Sequence, residues 1–303
     1  MKTLTGRRLL LFGLFTVVFL SILSLIYYWY RDNVVLTILM LTPAVSVVMT
    51  RVLTREGTKA LFLTPGFRKN VRWYLLAYIA TPFVAYAGAL LFFAVSPDSF
   101  DPLHSELAVQ SGSTTMPVYL TQLMTTVPLA VVVNPILGLI SCFGEEFAWR
   151  GYVLPKLCGF VSLPSAVLIT GVAWGLWHAP IIAMGFNYGT SQPMLGIIAM
   201  IVLCVVLGTI SAFLFFKSGS IWPGVLLHAA INGIDLWAPS NLFMSRAANP
   251  FIGPNLTGIV GGIGFIVIAC FCIAWIRGNA SSVRTSLLDN AGYKTEDIRQ
   301  KPS

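Results

Sequence analysis

The chain has 303 residues, of which 56% are hydrophobic and only 10% charged, and its mean hydropathy is +0.81. A water-soluble domain carries about 25% charge. Too few charged side chains are present to clothe a solvent-facing surface of this size, so a soluble enzyme, a secreted disulfide scaffold and a disordered chain are all excluded. The net charge of +8 is not gathered in a basic domain. It sits at the edges of apolar runs, which excludes a nucleic-acid partner and suits insertion into a lipid bilayer.

Runs of about 20 apolar residues cross a hydrocarbon core of roughly 30 Å. In chain order they fall near 9–30, 34–50, 73–95, within 117–157, then 161–184, 194–216, 220–237 and 258–276. They are unbroken and lack period-2 alternation, which selects helices over a barrel. The expected fold is therefore all-α: a polytopic integral membrane protein of about eight transmembrane helices enclosing an intramembrane cavity. It is expected as one domain over residues 1–276, followed by a polar cytosolic tail over 277–303. The first run follows Lys2, Arg7 and Arg8. It is long for a signal peptide and lacks a small-x-small cleavage site, so a retained span is expected.

The basic residues orient the chain. With eight crossings and the amino terminus in the cytosol, all but Arg31 and Arg246 of the 19 lysines and arginines fall inside. The loop bearing Asp98, Asp101 and Glu106 falls outside. This asymmetry predicts both termini in the cytosol, in a plasma membrane for a prokaryotic chain or an endoplasmic reticulum for a eukaryotic one. The five cysteines show no CxxC or zinc spacing, so free thiols are expected. No internal repeat is visible, which argues against an inverted-repeat transporter. Gly171/Gly175 and Gly258/Gly262 are small-xxx-small pairs, expected at close helix contacts.

Ionisable residues inside spans are expensive and mark function. Here they are few: Glu145, Glu146 and Arg150 in the fourth stretch, His178 in the fifth, and His228 with Asn232 in the seventh, Asp235 following one turn later. On a helix, Glu146 and Arg150 are four apart and share a face, where they offset one another's charge. Glu145 is turned from Glu146 by about 100° and is left as the free carboxylate, suited to general-base work. His228 and Asn232 are also four apart and suit donation to one oxygen. A purely structural reading competes: an interfacial ion network, and two core histidines. Two of three histidines falling in apolar spans, one beside an Asn at helical spacing, weigh against it. His104 lies in the acidic outer loop and is read as an ordinary surface residue.

Depth constrains the helix ends. If the fourth helix runs on to Lys156, Glu145 lies about 16 Å from the inner boundary at 1.5 Å per residue, comparable with about 20 Å for His178. Arg150 is then buried with Glu146, and Lys156 marks the interface. The stretch 117–156 is too long for one perpendicular crossing. Its first part, with Pro128 and Asn134-Pro135, is expected to be kinked, tilted or at the outer surface.

These residues resemble a known family. Glu145-Glu146-x-x-x-Arg150, Trp174-x-x-x-His178 and His228-x-x-x-Asn232 are similar, in order and each in a separate span, to the three motifs of the CPBP family. That family comprises the type II CAAX prenyl endopeptidases and bacterial bacteriocin-processing and self-immunity relatives. The resemblance covers about residues 117–237. One departure is visible: Trp174 stands where Phe is frequent, read here as a change of packing residue. The resemblance implies an intramembrane endopeptidase acting on a lipidated or membrane-bound peptide or protein, with CaaX removal after a prenylated Cys as one form. It implies Glu145 as the water-activating carboxylate, His178 as its partner, His228 and Asn232 at the oxyanion, and Glu146 and Arg150 in support. No cofactor is assigned. Zinc on Glu145, His178 and His228 is the alternative, against which no HExxH pair is present. A non-catalytic transporter or bacteriocin-immunity protein is the rival class.

Overall fold

The computed structural model describes residues 2–290, and every regular element in it is helical. The long helices are α1 (Lys2–Tyr30), α2 (Asn33–Leu53), α3 (Phe67–Val95), α4 (Met116–Leu157), α5 (Leu163–Ala183), α6 (Pro193–Ser218), α7 (Trp222–Asp235), α8 (Ile263–Gly278) and α9 (Ala280–Asn290). The first six are each long and apolar enough to cross a membrane, and α8 with α9 makes a seventh span bent by 78°. The protein is an integral membrane protein. The remaining expected crossing, α7, has 14 residues, or about 21 Å at 1.5 Å per residue. It is largely buried among its neighbours and need not meet lipid along its length. The expected polar tail begins as α9, with Val283 and Leu287 buried; residues 291–303 lie outside the described residues.

Prolines inside these spans remove backbone donors, and side chains replace them. Pro43 leaves the carbonyl of Leu39 without its i+4 partner, and the Thr42 hydroxyl donates to it at 2.7 Å. Pro135 does the same to the carbonyl of Val131, which takes the Tyr78 hydroxyl at 2.8 Å. In lipid such substitutions keep the ladder satisfied. The 42-residue α4 is helical throughout, with π-turns at Leu129–Val133 and Trp149–Val153. Its length, about 63 Å, is absorbed at the start. There Tyr119 is buried in a small cap with Leu107, Ala108 and Leu242 and donates to the Leu242 carbonyl at 2.5 Å.

Helices α5 and α6 pack closely. A Cβ built on Gly175 would lie 2.5 Å from the Ile201 Cα, and one on Gly171 2.8 Å from the Val205 Cα. Gly175→Ala is therefore expected to destabilise by about 1–3 kcal/mol, the usual range for overpacking. Gly138→Ala, with nothing within 4 Å, is the control. Thermal unfolding in detergent reads both, and equal midpoints would contradict the tight crossing. The other small pair, Gly258/Gly262, is not helical. It lies in the turn before α8, where each Cβ would strike the backbone of the same loop at Gly253, Ile252 or Leu256. That loop folds back on itself, so the span expected from 258 begins at Ile263.

The helix ends sort into two faces. At one, the connection after α2 presents Glu56 to Arg8 (3.5 Å), Arg51 (3.6 Å), the Tyr152 hydroxyl (3.1 Å) and the Lys156 ammonium. Burial alone would push the Glu56 carboxyl up, but the surrounding cations hold it below its ordinary value. Asn70 donates to the Ser218 carbonyl (2.9 Å) and Trp222 to the Leu63 carbonyl (2.8 Å) on the same side. Gly219, at φ +68, closes the short turn from α6 to α7 there. At the opposite face Arg31 donates to the Met184 carbonyl (2.9 Å) and Tyr188 to the Thr257 carbonyl (3.2 Å).

Candidate functional site

The site is built where α4, α5 and α7 meet. Arg150 lies in the widened π-turn of α4 and reaches back one turn, donating from Nη1 to Glu146 Oε1 at 2.9 Å. Both side chains are fully buried. Two glycines make room for the pair: Gly208 on α6 lies against Arg150 Nη2 and Gly224 on α7 against Glu146 Oε2. The guanidinium carbon stands 4.2 Å from the centroid of the Trp174 ring, a cation–π contact that offsets part of its desolvation. Glu146 Oε1 also accepts from His228 Nδ1 at 3.2 Å. Glu146 is thus shared between Arg150 and His228, orienting the imidazole from behind.

Glu145 turns away from that pair. Its Oε2 accepts the indole N–H of Trp174 at 2.5 Å, and among the described residues its Oε1 has no hydrogen bond. On the same face of α5, His178 Nδ1 donates to the Trp174 carbonyl at 2.9 Å, which leaves Nε2 as the free acceptor. The Trp174 ring lies 6.0 Å from the His178 ring and 5.3 Å from the His228 ring, centroid to centroid. One indole therefore touches the carboxylate, both histidines and the arginine.

Glu145, His178, His228 and Asn232 all line one cavity of about 650 Å³, whereas Glu146 and Arg150 are not in its wall. That volume is within the range of small-ligand and substrate pockets. Asn232 lies in the wall one turn beyond His228, its Nδ2 3.6 Å from Cys142 Sγ. Asp235 lines the same cavity nearer the end of α7. The three side chains named for zinc each keep one donor atom clear of these hydrogen bonds, Glu145 Oε1 and Nε2 of His178 and of His228, and those atoms would hold an ion; among the described residues no group of three or more His, Cys, Asp and Glu side chains is already drawn together around one.

Trp174 is the residue whose part the sequence understated. Read as packing, it is also a hydrogen-bond donor to Glu145. The available signal was the departure itself, since an indole brings an N–H that a phenyl ring lacks.

Comparison with known proteins follows the same residues. Residues 123–234 match the family described as type II CAAX prenyl endopeptidase Rce1-like. A CAAX prenyl protease 2 of Methanococcus maripaludis is 38% identical over 50 residues, covering 16% of this chain and 18% of that protein. The matched segment contains every residue of the three motifs and each of the four cavity-lining polar groups. Over that segment the chain is similar to the type II CAAX prenyl endopeptidases that its motifs resemble, and its match spans about a fifth of the length of that relative.

Proposed function

We propose that the cavity hydrolyses a peptide bond of a membrane-associated substrate, without a metal. The observation that carries this reading is the convergence of a carboxylate with one free oxygen, two histidines and an amide on one buried cavity. Water sits between Glu145 Oε1 and His178 Nε2. Glu145 takes its proton as the oxygen attacks the scissile carbonyl carbon. The developing oxyanion is met by Asn232 Nδ2 and by His228, whose ring Glu146 orients from behind. The C–N bond then breaks, and Glu145 returns the proton to the leaving amine, giving a new carboxyl end and a new amino end.

The fixed oxygen of Glu145 matters because general-base efficiency depends on geometry first. Trp174→Phe keeps the ring beneath Arg150 but removes the N–H. A hydrogen bond to a charged group is worth about 1.5–3 kcal/mol, so turnover is expected to fall about 10–100-fold with KM little changed. Steady-state kinetics on the purified protein checks this; wild-type turnover would show that Trp174 only packs.

The name of the relative suggests a prenylated CaaX tail as substrate. A farnesylated CaaX peptide beside its unlipidated twin tests that class. Chelator treatment tests the metal-free mechanism: activity is expected to survive it, and loss restored by zinc would overturn it. If processing persists unchanged in both Glu145→Gln and His178→Ala, the protein is not a peptidase of this kind. Export or uptake lost in those variants would point to a transporter.

A further inference from the structure

Two carboxylates line the cavity, Glu145 and Asp235, and hydrolysis as proposed uses only the first. Asp235 is the last residue of α7 and is half-buried. Among the described residues its carboxylate has no hydrogen bond and no ion pair. Helix stability does not account for it. A negative charge at the carboxy-terminal end of a helix meets the negative end of the macrodipole and is unfavourable there. Nor is its position loose. A Cβ on Gly233 would lie 2.5 Å from Pro135 Cδ, and Asn134 Nδ2 donates to the Gly233 carbonyl at 3.4 Å. Helix α4 therefore fixes the last turn of α7, and the backbone of Asp235 with it.

The surroundings leave this charge without a counterpart. No Lys or Arg lines the cavity, and beyond Glu145 and the two histidines its wall is apolar or neutral. A carboxylate partly withdrawn from water is costly unless a cation reaches it. Its register along α7 says where such a cation would come from. His228, Asn232 and Asp235 follow one another at spacings of four and three residues, and all three line the cavity, so they form one stripe on the helix. Seven residues of rise place Asp235 about 10 Å along the axis from His228. An extended peptide advances about 3.3 Å per residue, so a chain whose scissile carbonyl lies at His228 and Asn232 brings to Asp235 a side chain about three residues away.

We infer that Asp235 sets substrate specificity by taking the basic side chain of a Lys or Arg about three residues from the scissile bond. The register rests on the hydrolytic reading of the site; the cation-binding carboxylate does not. A Lys or Arg supplies the charge-assisted hydrogen bond that the wall lacks, and an acidic side chain at the same place is rejected by like charge. The free carboxylate that ends a CaaX tail would meet the same repulsion at that reach. For such a substrate the basic residue therefore belongs on the amino-terminal side of the cut.

The test uses the full chain purified into liposomes. The probes are farnesylated CaaX peptides with Lys, Gln or Glu placed in turn at each position preceding the farnesyl-cysteine. Wild type is expected to cleave the Lys peptide with a kcat/KM about 10–100-fold above that of its Gln twin at one register, mainly through KM, which is the range of a hydrogen bond to a charged group. Asp235→Asn is expected to bring that ratio near one, and Asp235→Lys to transfer the preference to the Glu peptide. The unfolding midpoint of Asp235→Asn is expected at or above that of wild type, because the charge it removes is unfavourable to the helix. A Lys-to-Gln ratio near one in wild type overturns the inference and leaves hydrolysis standing. So does a ratio that survives Asp235→Asn, or a fallen midpoint with activity lost on all three peptides. Binding of the same peptides, fluorescently labelled, to Glu145→Gln with and without Asp235→Asn separates the two readings. Lys-selective binding that Asp235→Asn removes, with no cleavage by wild type, supports the cation site and counts against hydrolysis. Binding that is equal for the Lys and Gln peptides, or absent for both, overturns the cation site.

Discussion

Glu145→Gln is expected to lower the rate of peptide cleavage by about 10²–10⁴-fold, the range lost with a general base. The substitution is close to isosteric. Its amide oxygen still accepts the Trp174 indole N–H, which stands 2.5 Å from the native carboxylate, so the cavity keeps its shape. What disappears is the ability of the free oxygen to take a proton from water. KM and the unfolding midpoint are therefore expected to stay near wild type while turnover collapses. Activity within a few-fold of wild type would remove Glu145 from the chemistry.

The second large effect falls on stability. Arg150→Met leaves Glu146 fully buried without its cation; the native pair is bonded at 2.9 Å, and both side chains are at most 2% exposed. Breaking a buried pair by removing one partner costs about 3–5 kcal/mol, whereas replacing both by apolar or neutral groups of similar shape is often nearly neutral. Thermal unfolding in detergent should show a large drop for Arg150→Met and recovery of much of it in Glu146→Gln/Arg150→Met. The double variant is nonetheless expected to turn over slowly, because His228 Nδ1 loses its carboxylate acceptor at 3.2 Å. A single variant as stable as wild type would mean that the pair is not a structural element. The cycle of both singles and the double isolates the coupling.

Helical spacing made the division of labour on α4 legible from sequence. Glu146 and Arg150, four apart, are hydrogen-bonded, and Glu145, one residue away, faces the cavity instead. The membrane-spanning, all-helical class followed from composition, since 10% charge leaves little to face water. What sequence did not reveal depends on contacts across the fold. The hydrogen bond from Trp174 to Glu145 joins residues 29 apart, and the ion pair of Lys156 with Glu56 joins residues 100 apart. The π-turn at Trp149–Val153 has no composition signature, and it sets where Arg150 points. The 14-residue α7 reads as a full crossing because its apolar flanks continue, although the chain has already turned at both ends.

The most direct measurement is cleavage of a defined membrane peptide by the purified protein in liposomes, run in H2¹⁸O with a strong chelator present. The account predicts a discrete cut with one ¹⁸O in the new carboxyl group, undiminished by the chelator and absent in Glu145→Gln. Label-free product, or product formed equally by wild type and Glu145→Gln, would contradict it.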